Sequence, residues 1–120
     1  MLKLLLICLL SLSVALADNP YPYAEEDHVI NIGEPTWDKA IHEFPQGFLM
    51  YYYEEFCLPC RQFFPQYVQA AKNLFNAKSN VRLGKVECHD EVKLCNDKGV
   101  TSFPTLILHR ADQEPFEYRG

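Results

Sequence analysis

The hydrophobic and polar positions of this 120-residue chain follow two spacings. Short continuous or alternating apolar runs predict β-strands, whereas apolar residues three and four positions apart predict amphipathic helices. The order βαβαβαββ that results predicts an α/β domain with a central mixed sheet and helices on both faces. The predicted strands are residues 29–32, 48–53, 81–88, 105–109 and 115–119, and the predicted helices are residues 36–44, 58–75 and 90–98.

Three residues are expected to shape the ends or the course of these helices. Thr36 is a predicted N-cap, because its hydroxyl can accept a hydrogen bond from a free backbone N–H of the first turn. Pro65 lies inside the second helix and is expected to kink it by removing an internal hydrogen bond. Gly99 is expected to stop the third helix.

The first 17 residues have the pattern of an export signal. Lys3 supplies a positive charge, residues 4–14 form an apolar run, and residues 15–17 fit a small-x-small cleavage site. The run is too short to span a membrane, which takes about 20 residues. Residues 18–28 are rich in proline, tyrosine and acids, and we expect a mobile N-terminal segment there. Residues 29–120 then form one domain.

Composition and charge narrow the class of partner. The chain has 11 Lys and Arg against 16 Asp and Glu, a net charge of −5. An acidic domain without a basic cluster is a poor nucleic-acid binder, so we expect no nucleic-acid partner. The four histidines show no metal-ligand spacing.

Cysteine usage suits an exported protein. Cys8 falls within the predicted signal, which leaves Cys57, Cys60, Cys88 and Cys95 in the mature chain. Four cysteines in a compartment that permits disulfides allow three connectivities. A zinc site built from all four is an alternative, but the second pair is seven residues apart rather than on a second tight knuckle, so we predict no metal.

The motif Cys57-Leu58-Pro59-Cys60 follows the aromatic strand and opens the second predicted helix. A thiol at a helix N-terminus has a lowered pKa, because unpaired N–H groups and the helix dipole favour the thiolate. We therefore predict Cys57 as the nucleophile and Cys60 as the resolving thiol. An inert disulfide at the same spacing is the alternative.

These features together resemble a thioredoxin-fold domain. Besides the aromatic strand and the CxxC motif, the resemblance rests on Pro65, five residues after the second cysteine, and on the Thr-Ser-Phe-Pro-Thr run at 101–105. More narrowly, residues 85–88 and 94–100 are similar to catalytic domains of the protein disulfide isomerase family. The resemblance covers most of the chain after residue 28. It implies a further C-terminal helix, so residues 29–120 are expected to be an incomplete domain.

The resemblance also implies roles for other residues. The Phe103–Pro104 bond is expected in the cis form beside the CxxC turn, where the backbone pairs with client peptides. Cys88 and Cys95 match a second cysteine pair with a structural disulfide, with two buried free thiols as the alternative. The expected client-binding rim consists of Phe56, Leu58, Pro59, Phe103 and Pro104.

Two positions depart from the family pattern. Tyr51 stands where the family has a buried Asp or Glu that moves protons at the second cysteine; it is expected to reach Lys85 but is a poor base near neutral pH. Leu58-Pro59 replaces Gly-His between the cysteines. Since proline in the second place is the thioredoxin choice, we predict a reduction potential near the reducing end of the family range.

By this resemblance, the expected function is a protein thiol–disulfide oxidoreductase or isomerase that assists oxidative folding in the secretory pathway. The lumen of the endoplasmic reticulum is the expected location, with secretion as the alternative. Its expected partners are unfolded or misoxidised clients, with glutathione or an upstream thiol oxidase as a redox partner. It needs no cofactor and no membrane span. The alternative is a redox-weak chaperone that holds unfolded chains through its apolar rim.

Overall fold

The computed structural model describes residues 25–118 and shows a central sheet with helices on both faces. The first strand, β1, is only two residues long, and the long strands and helices follow the hydrophobic periodicity. The strands are β1 (Glu25–Glu26), β2 (Val29–Asn31), β3 (Phe48–Tyr53), β4 (Arg82–Glu87), β5 (Thr105–His109) and β6 (Phe116–Tyr118). The helices are α1 (Glu34–Glu43), α2 (Leu58–Asn76) and α3 (Val92–Asp97).

The sheet is mixed, with strand order β1-β2-β4-β3-β5-β6. Strand β3 lies in its interior, parallel to β4 and antiparallel to β5. In this register Tyr51 is opposite Lys85 on one side and opposite Leu106 on the other. Because β3 is covered on both faces, its sequence is apolar at nearly every position rather than alternating.

The two faces of the sheet carry separate hydrophobic cores. On one face Trp37 and Ala40 of α1 and Leu94 of α3 pack with inward residues of the strands, including Phe48 and Met50. The other face is covered by α2. Its core contains six buried residues, namely Val29, Tyr51, Cys60, Tyr67, Ala71 and Leu83. The predicted fold class, a mixed sheet flanked by helices, is confirmed.

The start of α1 corrects the sequence-based expectation. The helix begins at Glu34, with Gly33 as its N-cap and Pro35 in its first turn, so Thr36 is not the cap. Proline is tolerated there because the first N–H groups of a helix have no intrahelical partner. Thr36 instead completes a capping box, in which its Oγ1 accepts a hydrogen bond from the Gly33 N–H at 3.1 Å.

The other strands and helices begin and end within a few residues of the predicted limits, and one further strand is present. Strand β1, which pairs antiparallel with β2, lies in the segment for which no regular structure was predicted. Helix α2 continues through Pro65 to Asn76. No helix within residues 25–118 is long and apolar enough to cross a membrane. The predicted signal at residues 1–17 lies outside the described residues.

Candidate active site

The CxxC motif occupies the turn from β3 into α2. The N–H of Cys57 donates to the carbonyl of Glu54 at 3.1 Å, which closes the turn after the strand. Cys57 is the N-cap of α2, and its Sγ accepts a hydrogen bond from the N–H of Cys60 at 3.2 Å. A free N–H of the first helical turn is therefore directed at the sulfur of Cys57, where it would stabilise a thiolate.

A disulfide joins Cys57 and Cys60, whose Cα atoms are 5.2 Å apart. The two cysteines differ in accessibility, because Cys57 is half-buried and Cys60 is 1% exposed. Cys57 is therefore the residue of the pair that is more accessible to a thiolate from solvent. This asymmetry matches the predicted roles of an attacking or attacked sulfur at Cys57 and a resolving thiol at Cys60.

Apolar side chains next to the motif project into solvent. Phe56 is 77% exposed and Leu58 is 63% exposed, and Pro59 between the cysteines is also exposed. Phe103 is half-buried and packs against the same core cluster as Cys57. The Phe103–Pro104 peptide bond is cis, as the resemblance implies. The structure thus brings the Phe103 loop to the CxxC turn and leaves the apolar rim open.

Tyr51 lies directly behind the second cysteine. Its hydroxyl donates to the carbonyl oxygen of Cys60 at 2.8 Å, a partner that the sequence did not predict. Desolvation by burial, followed by the neighbouring Tyr53, raises the pKa of Tyr51 to about 12. The phenol is therefore neutral near pH 7 and cannot accept a proton from Cys60 there.

Lys85 and Cys60 line the same pocket of about 320 Å³ on the flank of α2. Lys85 is only 7% exposed, and its ammonium lies 4.8 Å from the centroid of the Phe64 ring, a cation–π distance. Tyr51 also lines this pocket, so the proton-relay position and its expected lysine partner are neighbours around Cys60. Cys60 thus borders a pocket on one side, although it is only 1% exposed.

A second disulfide joins Cys88 and Cys95, with Cα atoms 5.8 Å apart. Both cysteines are buried, at 5% and 3% exposure. The bond ties the residue that follows β4 to α3, and Val100 donates its N–H to the carbonyl of Cys95 at 3.0 Å. The pair therefore anchors the start of the loop that leads to Phe103. Its structural role remains a prediction.

His109 is a buried titratable residue for which sequence reasoning assigned no role. Its Nε2 lies 3.3 Å from the hydroxyl of Tyr52, and Trp37 contacts its ring edge-on at 4.9 Å. Desolvation by burial, together with the charge of Lys98, lowers its pKa from 6.5 to about 4. The sequence could have indicated the burial of His109, because alternate residues of a strand share one face and Thr105, Ile107 and His109 are the buried positions of β5.

Metal coordination finds no support in the geometry of these residues. Across residues 25–118, no group of three or more His, Cys, Asp and Glu side chains is arranged to hold a metal ion. The four cysteines form two separate disulfides instead of one cluster.

Comparison with known proteins identifies relatives of this chain. The family model described as Thioredoxin matches residues 28–120. The chain is 33% identical over 92 residues to protein disulfide isomerase-like 2-3 of Oryza sativa subsp. japonica, covering 76% of this chain and 20% of that protein. It is 31% identical over 117 residues to protein disulfide-isomerase A3 of Gallus gallus, covering 98% of this chain and 21% of that protein.

The fold has close structural counterparts as well. The solution structure of the first thioredoxin domain of mouse protein disulfide-isomerase A4 superposes with a TM-score of 0.74 at 21% identity, covering 87% of this chain and 73% of that one. At this identity the likeness concerns the fold alone. The chain spans about a fifth of the length of the two curated relatives described above.

Proposed function

This chain belongs to the thioredoxin family, and on that premise we propose that it is a protein thiol–disulfide oxidoreductase that acts on client proteins through Cys57 and Cys60. One observation carries the proposal. A half-buried cysteine at the start of α2 is bonded to a fully buried one, so Cys57 is the more accessible cysteine of the pair. That arrangement suits disulfide exchange, in which the attacked sulfur must be reachable.

In the oxidising direction, a client thiolate attacks Sγ of Cys57. The client–Cys57 bond forms, the Cys57–Cys60 bond breaks, and Cys60 leaves as a thiolate that takes up a proton. A second client thiolate then attacks the client sulfur of the mixed disulfide, which releases Cys57 and closes the client disulfide. In the reducing direction, the Cys57 thiolate attacks a client disulfide, and Cys60 resolves the mixed disulfide.

The open apolar rim is the proposed client surface. Phe56 and Leu58 are large side chains exposed at the reacting sulfur, and unfolded clients present matching apolar segments. We assign client contact to these two residues, to Pro59, and to Phe103 and Pro104 on the facing loop. The backbone beside Pro104 is the proposed place where an extended client segment aligns.

The setting that we propose is oxidative folding in the secretory pathway, with the lumen of the endoplasmic reticulum as the site of action and with isomerase activity. The predicted signal at residues 1–17 supports export, and two disulfides within one small domain suit an oxidising compartment. Relatives named as disulfide isomerases support the same setting. Oxidised glutathione or a thiol oxidase would then reoxidise the cysteine pair, and reduced glutathione would reduce it.

An insulin-reduction assay with dithiothreitol as the electron donor tests the proposal. The wild-type chain is expected to accelerate insulin reduction, and Cys57→Ser is expected to lose the acceleration, because it removes the attacking sulfur. Glu114→Gln is the control, since it alters an exposed residue at the end of the sheet away from Cys57. Equal, negligible turnover by wild type and Cys57→Ser would contradict exchange and favour the alternative, a binding module that uses the apolar rim.

A further inference from the structure

A groove of about 410 Å³ opens between the Glu54 turn and the loop that carries Phe103. The most buried residues that line it are the Cys88–Cys95 disulfide and Val100, with exposures between 3% and 6%. Its outer wall includes Val92, an apolar side chain that is 54% exposed. The groove therefore combines a packed apolar floor with an open rim.

The position of the groove connects it to the exchange site. Glu54 accepts the hydrogen bond from the N–H of Cys57, so one wall of the groove is one turn away from the reacting sulfur. Phe103, on the other wall, precedes the cis bond to Pro104. A client segment aligned beside Pro104 would thus place a side chain near its cysteine over this groove.

Glu54 is the acidic residue that lines the groove, beside the polar residues His89, Asn96 and Thr101, and further acids lie nearby. Glu54 is half-buried on the wall, and it is followed by the exposed Glu55. Glu87, Asp90 and Glu91 line the adjoining depression together with Glu55. A half-buried carboxylate interacts with a cation more strongly than a fully solvated one does, because less water screens it.

We propose that this groove is a specificity subsite for an arginine or lysine side chain of the client, next to the client cysteine. The aliphatic stem packs on Val92 and the ring of Phe103, and the cationic head reaches Glu54. A glutamate in the same client position is repelled. The inference rests on the proposed function, since the groove selects among clients that exchange with Cys57.

Peptide exchange kinetics with the full chain carrying Cys60→Ser test the subsite. The probes are extended peptides with one cysteine, activated as the mixed disulfide with thionitrobenzoate, that carry arginine, norleucine or glutamate beside the cysteine. The Cys57 thiolate attacks the peptide sulfur, and the coloured aromatic thiolate leaves. We expect arginine to react fastest, then norleucine, then glutamate, with arginine ahead of norleucine by about two- to fivefold at low salt.

Variants assign the preference to the groove. Glu54→Gln is expected to remove the advantage of arginine over norleucine, and Val92→Ser to reduce the advantage of norleucine over glutamate. Glu114→Gln is the matched control, because it removes the same charge in the turn between β5 and β6, at the end of the sheet away from Cys57. Ratios between peptides cancel any general change in the reactivity of Cys57.

Two results would overturn the subsite: equal rates for the three peptides, or an arginine preference that Glu54→Gln leaves intact. A failure of all three peptides to release the aromatic thiolate would instead contradict the proposed nucleophile, and the subsite with it. The two failures are distinguishable, since the first occurs with reacting peptides and the second without reaction.

Discussion

Tyr51 is the residue that most separates this site from the pattern of its family. It occupies the position behind Cys60 with a neutral phenol, whose hydrogen bond to the Cys60 carbonyl holds the turn without offering a base. Lys85 lines the same pocket, but its side chain is a cation and not a proton acceptor. Steps that deprotonate Cys60 must therefore rely on solvent, which predicts slow exchange.

Restoring the acid tests this account. We expect Tyr51→Glu to accelerate insulin reduction near neutral pH by about tenfold, because a carboxylate at this position can accept the proton of Cys60. Tyr51→Phe is the control: it keeps the ring, loses the hydrogen bond at a cost of about 1 kcal/mol in stability, and gains no rate. A Tyr51→Glu variant no faster than Tyr51→Phe would exclude proton transfer as the limiting feature.

His109 makes stability depend on pH. Its folded pKa of about 4 lies below the ordinary value of 6.5, so between these values the unfolded chain binds a proton that the folded chain does not. Stability is therefore lost as the pH falls through this window. From about pH 7 to about pH 4.5, wild type should lose about 2 kcal/mol more than His109→Gln.

Urea denaturation of both proteins at the two pH values measures this difference. The carboxylates common to both chains cancel in the comparison, which isolates the histidine. If wild type and His109→Gln lost equal stability, the imidazole would not be held neutral by its surroundings of Tyr52 and Trp37.

Among the elements, the first turn of α2 is expected to set the reduction potential of the cysteine pair. Pro59 lies in that turn, where its missing N–H costs no hydrogen bond and its fixed φ suits the helix. It also leaves no cationic side chain between the cysteines to stabilise a thiolate. We therefore keep the prediction of a reducing couple.

Pro59→His is expected to make the couple more oxidising by about 30 mV or more, since an imidazolium beside Cys57 stabilises the reduced form. Equilibration with glutathione buffers, followed by separation of the oxidised and reduced proteins, gives both potentials. Pro59→Ala serves as the uncharged control. A wild-type potential near about −180 mV, the value of protein disulfide isomerase, would refute the reducing assignment.

The second disulfide links the residue that follows β4 to α3. Replacing Cys88 and Cys95 together by alanine should lower the free energy of unfolding by about 2 to 3 kcal/mol, the chain-entropy value for a short closed loop. Urea midpoints of the wild-type chain and the double variant measure it. An unchanged midpoint would show that the bond contributes nothing to stability.

The long strands and helices were predictable from the sequence, whereas a short edge strand and the contacts of buried polar side chains were not. The apolar runs predict β3 and β5 with their observed limits, because the burial of a strand makes its sequence apolar continuously or at alternate positions. The pair Glu25–Glu26 carries no such pattern and is a strand only because β2 offers an edge. The start of α1 at Glu34 lies before Trp37, the first apolar residue of its periodic pattern, so apolar spacing alone does not locate it.

Parts of the candidate site were likewise predictable from the sequence, and other parts were not. Cys57 and Cys60 follow from their spacing after a strand, and the structure brings Phe103 to them. The bond from Tyr51 to the Cys60 carbonyl and the groove between Glu54 and Phe103 depend on contacts across the sheet, which local sequence does not encode. Such contacts need the strand register.

At the scale of the whole molecule, the proposed exchange site and the His109 cluster lie at opposite ends of β3. The strand leads at Tyr53 into the turn with Cys57 and Cys60, whereas His109 pairs with Phe48 at its start. Substitutions of His109 should therefore change stability with little effect on exchange.

The most direct test of the central claim is to trap the mixed disulfide. Reduced Cys60→Ser protein is mixed with insulin, and the covalent adduct is identified by mass spectrometry after proteolysis under non-reducing conditions. We predict an adduct through Cys57, because the attacking sulfur is retained and the resolving thiol is absent. No adduct, or one through Cys88 or Cys95 in place of Cys57, would contradict the assignment of Cys57 as the sulfur that exchanges with clients.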